Sequence, residues 1–376
     1  MSKTTKIILY VILVVILVGG IWYTTTRNSA MQGAIKIGLV LPLSGDLAIY
    51  GEGVKNAALL AVDNSGIKDR IQLIIEDDAS CDKTGDVSIA QKFVNIDKVN
   101  GIIGPMCSSA TLAILPITDP LKNVVVSPSA TSKTIVQSGY NFFFRTMASD
   151  AAKSIAIANF AYEKGYRKLA LINDAANDSF IQEKEDAKEA FVNLGGVVVA
   201  EESYHTNDVD FRTQLTKIKN SNSDVIIIGG FPKEAAFIVR QAKEIGINIQ
   251  IMGAGPETGT PELITIAGSA AEGFIFPDAE TPTNKEHSDF LASYNAKFGE
   301  DAPGYGSAEG YDATALLIKA IAGSNGSGDD IKAHLYNLGQ NYSGASGLIT
   351  FQKNGDVQKP MSIKIVENGQ FVPYKK

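Results

Sequence analysis

The sequence predicts an α/β protein made of two doubly wound, Rossmann-like lobes in succession, preceded by an N-terminal transmembrane helix. Three observations carry this expectation. From Ala34 onward, short β-rich runs alternate with stretches of helical period; the series restarts near Asp150; and an uncharged apolar segment lies ahead of both. Alternation of this kind marks parallel sheets covered by helices on both faces. The 376 residues, 45% hydrophobic and 20% charged, are enough for two globular cores and rule out a disordered or collagen-like chain.

The N-terminal segment comes first. Between Lys6 and Arg27 lie 20 residues without a formal charge, opening with the run Ile7 to Val18. Such a helix spans about 30 Å, one bilayer core. Lys3 and Lys6 precede it, which by the positive-inside rule places everything after Arg27 outside the cytoplasm. Gly19 and Gly20 resemble the end of a signal peptide, but Trp22 and Tyr23 read as interfacial anchors and no Ala-x-Ala site follows. The expectation is an uncleaved signal anchor over residues 7–26, with a linker to residue 33. The protein is then extracytoplasmic and tethered to the membrane.

In the first series, strands are expected at Ile35 to Leu41, Ile71 to Glu76, Gly101 to Gly104 and Val124 to Ser127, with helices at Glu52 to Asn64, Asp86 to Asn95 and Ser109 to Leu121. The second opens with a helix from Ala151 to Lys164. Its strands are Leu169 to Asn173, Val197 to Ala200, Val225 to Gly229 and Ile249 to Gly253, and its further helices lie near Glu183 to Asn193, Asp210 to Asn220 and Lys233 to Ile245. Two more helices, Lys285 to Phe298 and Ala308 to Ala322, lead to a flexible GSNGSG loop over Gly323 to Gly328, and the tail from Leu348 alternates as strands do. The two helices are read as returning to the first lobe and the tail as finishing the second. The domains are therefore 34–147 plus 280–344, and 148–279 plus 345–376.

Composition narrows the function. A net charge of −7 with no basic block argues against nucleic acid or an anionic membrane surface as partner, and 3 His with 2 Cys argue against a Cys/His zinc site. In an exported domain Cys81 and Cys107 are read as paired, with two unpaired core thiols as the alternative. Asp77 and Asp78 are read as turn caps rather than metal ligands. No G-x-S-x-G elbow, phosphate loop or H-E-x-x-H is present, and His205, His287 and His334 are scattered, so neither an enzyme nor a cofactor is expected.

The chemistry instead gathers where strands end and helices begin, because backbone N–H groups there are unpaired and the helix dipole favours an anion. Gly104 leads into Pro105-Met106-Cys107-Ser108-Ser109, Val126 into Ser127-Pro128-Ser129-Ala130-Thr131, and Leu41 into Pro42-Leu43-Ser44-Gly45. These junctions offer hydroxyls and amides with no Lys or Arg before Lys133, so a carboxylate could be held by neutral donors; plain N-capping by Ser108, Ser129 and Thr131 is the alternative. In the second series, Gly253-Ala254-Gly255-Pro256-Glu257-Thr258-Gly259 imitates a dinucleotide fingerprint, but Thr258 stands where glycine is needed and Pro256 removes an amide. Glu257 is the more informative residue, since a carboxylate at a sheet mouth can hold an ammonium group.

An ordered series of segments resembles one family. IGLVLPLSGDLAIYGEGVKNAALLAVDNSG, DDASCDKTGDVSIAQKFV, GIIGPMCSSAT, VVVSPSATSKTI, FFFRTMASD, GGFPKEAAFIVRQAKEIG, IMGAGPET and IAGSAAEGF together resemble the branched-chain amino-acid (Leu/Ile/Val) binding proteins of ABC transporters, type I periplasmic binding proteins. The resemblance implies two lobes joined by a three-crossover hinge, here near Arg145 to Ser149, Phe276 to Pro282 and Ser343 to Gly347, and a disulfide between Cys81 and Cys107. It implies a ligand α-carboxylate held by Ser108 and Thr131, and an ammonium held by the Ser129 carbonyl and by Glu257, which matches if one residue of loop length is allowed. Tyr50 and Phe231 would line the side-chain pocket, with Phe231 standing where the family often has tyrosine. After the strand Leu169 to Asn173 the family commonly has a tyrosine followed by glycine, whereas this chain has Asn177-Asp178-Ser179-Phe180.

The resulting expectation is a monomeric solute-binding protein that closes on a small amino acid, branched-chain or otherwise apolar, and presents it to ABC permease subunits. Its rivals are a ligand-sensing receptor ectodomain of the same fold and a binder of amides or urea-like solutes. The six residues ahead of the apolar run leave no room for a cytoplasmic signalling domain, which favours transport.

Overall fold

The computed structural model describes residues 33–45, 47–79 and 83–375. The expected N-terminal helix lies outside them, as does Cys81; among the described residues no helix is long and apolar enough to cross a membrane.

Parallel pairing organises both halves. In the first, β1 (Ile35–Leu41), β2 (Ile71–Asp77), β3 (Gly101–Ile103), β4 (Val124–Ser127) and β5 (Phe143–Arg145) form a sheet in the order β2-β1-β3-β4-β5. The register sets Ile35 beside Ile71 and Ile37 beside Gly101. β4 is buried throughout, and in β1 only Lys36 is not, which explains their unbroken Val, Ile and Leu runs: both faces are covered. One face packs on helices Ala48–Asp63 and Ser307–Gly323, which come close because the contacts are small. A Cβ at Gly53 would lie 2.6 Å from Ser307 Oγ, and one at Gly310 would lie 2.8 Å from Val54 Cγ1. The second helix brings Leu316, Leu317, Ile318 and Ile321 into the core of β1 and β4.

The second half holds β6 (Lys168–Asp174), β7 (Val197–Tyr204), β8 (Val225–Gly229), β9 (Gln250–Gly253) and β10 (Ile275–Ala279), joined by β14 (Met361–Glu367) and β15 (Gln370–Pro373) in the order β15-β14-β10-β9-β8-β6-β7. The last two strands pair antiparallel, which a direct turn at Asn368-Gly369 allows. A small third sheet, β11 (Tyr342–Gly344), β12 (Gly347–Phe351) and β13 (Val357–Gln358), closes the structure beside the first half.

Several expectations need correction. The tail does not all belong with the second half: Ile349, Phe351 and Val357 sit in the first core, and only the strands from Met361 join the second sheet. Alternation reports one buried face but not which core receives it. The GSNGSG stretch is followed at once by a helix, Gly328–Leu338, in which Ser327 accepts from Asp330 N at 3.4 Å as its cap. The helix expected from Glu183 starts earlier, at Asp178, where Asn177 caps it by accepting from Ser179 N at 2.9 Å. The short strand β5 was not anticipated.

In each sheet the strand order reverses once, between β1 and β3 and between β6 and β8, and the loops at those carboxyl ends splay apart to leave a crevice. The expected site segments lie at or beside these two points.

Candidate functional site

On the first half, the loops after β3 and β4 are zipped together by hydroxyls. Ser127 Oγ donates to the Pro105 carbonyl at 2.6 Å, Ser129 Oγ donates to the Met106 carbonyl at 3.0 Å, and Ser108 Oγ accepts from Ser132 N at 3.1 Å. Ser108 is the first residue of helix Ser108–Thr118, so its hydroxyl sits at the positive end of the helix dipole and keeps its own proton to donate. Simple capping does not describe this arrangement, because no side-chain cap bond is made at that helix start. Tyr305 donates its hydroxyl to the Ser129 carbonyl at 3.4 Å and meets Tyr50 edge-on at 5.5 Å between ring centroids. Ser108, Ser129 and Tyr50 therefore line one wall, with Tyr305 as a member the sequence reading missed.

Thr131 is placed differently from expectation. Its hydroxyl is not free for an anion but donates to Asp150 Oδ2 at 2.7 Å, the first residue of helix Asp150–Glu163. Lys153, one turn on, donates to Asp150 Oδ1 at 2.8 Å. A ligand carboxylate reaching Thr131 must replace Asp150 as acceptor.

On the second half, Glu257 lies in the tight turn Pro256–Thr258 after β9. A Cβ at Gly255 would stand 2.0 Å from Glu257 Oε1, so glycine at that position lets the carboxyl fold back over its own loop. There it hydrogen-bonds Glu183 of helix Asp178–Asn193, a residue the sequence reading did not single out. Burial and the neighbouring Glu257 push the Glu183 carboxyl up to about 9, and burial also raises Glu257, against the pull of Lys153. Lys153 responds in the opposite sense: burial alone would lower it, but Asp150, Glu257 and Glu183 together hold it above its ordinary value and keep it charged. Phe180, one turn before Glu183, takes Phe231 edge-on at 4.8 Å, and Phe231 remains 40% exposed.

The two halves meet through these groups. A cavity of about 190 Å³ lies between Ser132 and Lys133 on one side and Asp150, Gln182, Glu183 and Asp186 on the other, and Lys133 pairs with Asp186 across it. Cys107 precedes helix Ser108–Thr118 and is not a free thiol; its expected partner Cys81 is outside the described residues. Asp77 acts as a turn acceptor, receiving Leu43 N at 2.8 Å and Ala79 N at 2.9 Å. The arrangement sets neutral hydroxyls and a helix start opposite a buried acidic pair. That is the complement of a molecule carrying both an anion and a cation.

Comparison with known proteins gives a consistent picture. A family model described as periplasmic binding protein matches residues 34–370. The leucine-, isoleucine-, valine-, threonine- and alanine-binding protein of Pseudomonas aeruginosa is 29% identical over 88% of this chain and 89% of its own. A leucine-binding protein from Thermotoga maritima superposes with a TM-score of 0.66 at 30% identity, covering 91% of this chain and 98% of its own. A branched-chain amino-acid transporter substrate-binding protein from Streptococcus pneumoniae, solved in complex with isoleucine, gives 0.64 at 27% identity, covering 91% of this chain and 100% of its own.

Proposed function

The chain belongs to the periplasmic binding protein family, and from that premise we propose that it captures a small amino acid, branched-chain or otherwise apolar, outside the cytoplasm and delivers it to an ABC permease. The observation that carries this reading is the pairing of the Ser108 hydroxyl at a helix start, suited to a carboxylate, with the Ser129 carbonyl and the buried Glu257 carboxyl, suited to an ammonium. An enclosed zwitterion needs both ends paired, since an unpaired buried charge costs several kcal/mol. Tyr50 and Phe231 supply the apolar wall.

Closure brings the walls together about crossovers near 145–149, 279–284 and 358–361, the last lying beyond the segment 343–347 first expected because Ile349, Phe351 and Val357 remain in the first core. The first lobe then comprises residues 34–147 with 280–358, and the second 148–279 with the chain from Met361. Residues 7–26 tether the protein to the membrane, a reading supported by the 20 uncharged residues between Lys6 and Arg27. Cys81 and Cys107, the chain's 2 cysteines, form the disulfide that braces the loop bearing Ser108.

The test is isothermal titration of the full chain, refolded free of bound solute, with L-leucine, L-isoleucine, L-valine, acetamide and urea. An amino acid is expected to bind, and Glu257→Gln to weaken it by about 2–5 kcal/mol, the cost of truncating one partner of a buried charge pair. Binding of acetamide or urea with silence from every amino acid would overturn the reading.

A further inference from the structure

We propose that Glu183 is a second ammonium-binding carboxyl beside Glu257, and that capture of a primary ammonium expels the proton the two carboxyls share. The inference deepens the amino-acid reading above and rests on it.

Glu183 is only 4% exposed, yet among the described residues no N–H group and no Ser, Thr or Tyr hydroxyl donates to its Oε2 or to Glu257 Oε1. The two side chains hydrogen-bond each other, which two carboxylates can do only with a proton between them. Apart from the proton they share, no N–H or O–H group of the described residues reaches Glu183 Oε2 or Glu257 Oε1, and leaving buried acceptors so poorly supplied is costly.

The surrounding charges do not satisfy the pair. From helix Asp150–Glu163, Lys153 faces it, but that ammonium is held by Asp150, whose other oxygen takes the Thr131 hydroxyl. From β7, Tyr204 faces it but donates its hydroxyl to the Gly229 carbonyl at 3.2 Å. Next to Tyr204, Asp174 accepts from Thr206. One turn along the helix that carries Glu183, Asp186 is matched by Lys133. Asp150 with Lys153 is internally neutral, and so is Asp186 with Lys133, which leaves Glu183 and Glu257 as one negative charge spread over two carboxyls and one proton.

A primary ammonium carries three N–H donors. The Ser129 carbonyl, Glu257 and Glu183 supply three acceptors, which matches that number of donors and gives the under-supplied carboxyl pair a partner. With the cation in place both carboxyls are stabilised as carboxylates, and the proton between them passes to solvent: one ammonium is bound, one proton is released, and no covalent bond changes. Affinity then rises with pH, approaching tenfold per pH unit wherever one full proton is released. N-methylation removes one donor and is rejected, and a quaternary ammonium is excluded.

The experiment is calorimetric titration of the full chain with L-leucine and L-isoleucine from about pH 6 to about pH 8, in phosphate and in Tris, whose different ionisation heats report the protons exchanged. The wild type is expected to release close to one proton per amino acid bound and to bind several-fold tighter with each pH unit. Glu183→Gln, the same shape without the titrating group, is expected to release none, show a flat profile and bind N-methyl-L-leucine with a smaller penalty than the wild type does. A wild type that binds either amino acid with no proton release overturns the inference and leaves the amino-acid reading standing, as does a Glu183→Gln protein that keeps the wild-type proton count. Failure of the wild type to bind any amino acid at any pH overturns both. The wild-type proton count decides the matter even if the variant does not fold.

Discussion

Arg145 offers the most direct quantitative test of how the crossover region supports the site. It is fully buried at the end of β5, donating through Nε to Asp356 Oδ1 at 2.6 Å and through Nη1 to the carbonyls of Ala130 and Ser132 at 3.1 and 3.0 Å. One guanidinium thus ties the segment bearing Ser129 and Thr131 to the turn before β13. Arg145→Met keeps most of the volume and removes the charge, stranding Asp356 and two carbonyls. Breaking a buried pair from one side costs about 3–5 kcal/mol. An unfolding entropy near 2.1 cal/mol/K per residue over roughly 340 described residues converts this to a fall in Tm of about 4–7 °C. The assay is thermal unfolding of the full chain followed by circular dichroism. Because the pair is shielded from solvent, the loss should persist at high salt, and Asp356→Asn added to Arg145→Met should recover part of it. A Tm within about 1 °C of wild type would mean that Arg145 fills space without holding the segment, and the reasoning would fail.

Two further outcomes follow from other residues. Asp312, fully buried, accepts from Ala345 N, Ser346 N and Ser346 Oγ at 2.8, 2.7 and 2.6 Å, and burial pushes its carboxyl up to about 6 from an ordinary 3.8. The native state therefore holds this proton more tightly than the unfolded chain, so the group's contribution to stability declines by about 3 kcal/mol as pH rises from about 4 to about 6; Asp312→Asn should flatten that part of the Tm profile, and an unchanged slope would contradict the assignment. Phe231→Ala removes an edge-on contact with Phe180 worth about 0.5–1.5 kcal/mol, so the fold should survive while L-leucine binds about tenfold more weakly; an unchanged Kd for leucine would take Phe231 out of the apolar wall.

Much of the fold was legible because strands buried on both faces leave runs such as Val124 to Val126 and Ile226 to Ile228, which few other environments tolerate. The first wall of the site was legible for a related reason: Ser108 and Ser129 lie five and two residues past the ends of such strands, in the short loops that lead off the sheet. The acidic pair was not. Glu183 lies in a helix whose other charges, Glu185, Lys188 and Glu189 among them, look like an ordinary solvated face, and the carboxyl that perturbs it belongs to Glu257, 74 positions later. Placing the helix start at Glu183 hid the turn Asp178 to Gln182 that orients it. Phe180, at i−3 from Glu183 and packed on Phe231, was the available clue. Thr131 failed differently: its donor was correctly located, but an acceptor from the same chain, Asp150, already occupies it.

The interleaved order of the chain bears on how the molecule can be made. The first core is completed by helix Ser307–Gly323 and by Ile349, Phe351 and Val357, and the second sheet by β14 and β15, so both wait for the C-terminal end of the chain. A nascent chain of roughly 300 residues would expose two unfinished apolar surfaces and an open edge at β10, the kind of species that aggregates or is held by chaperones. Folding is thus postponed until synthesis is almost over, when pairings of long sequence separation form together. No N-terminal fragment ending before Ser307 carries a complete lobe, and a circular permutant that begins at helix Lys285–Phe298 would synthesise the late pieces of the first core ahead of its early ones.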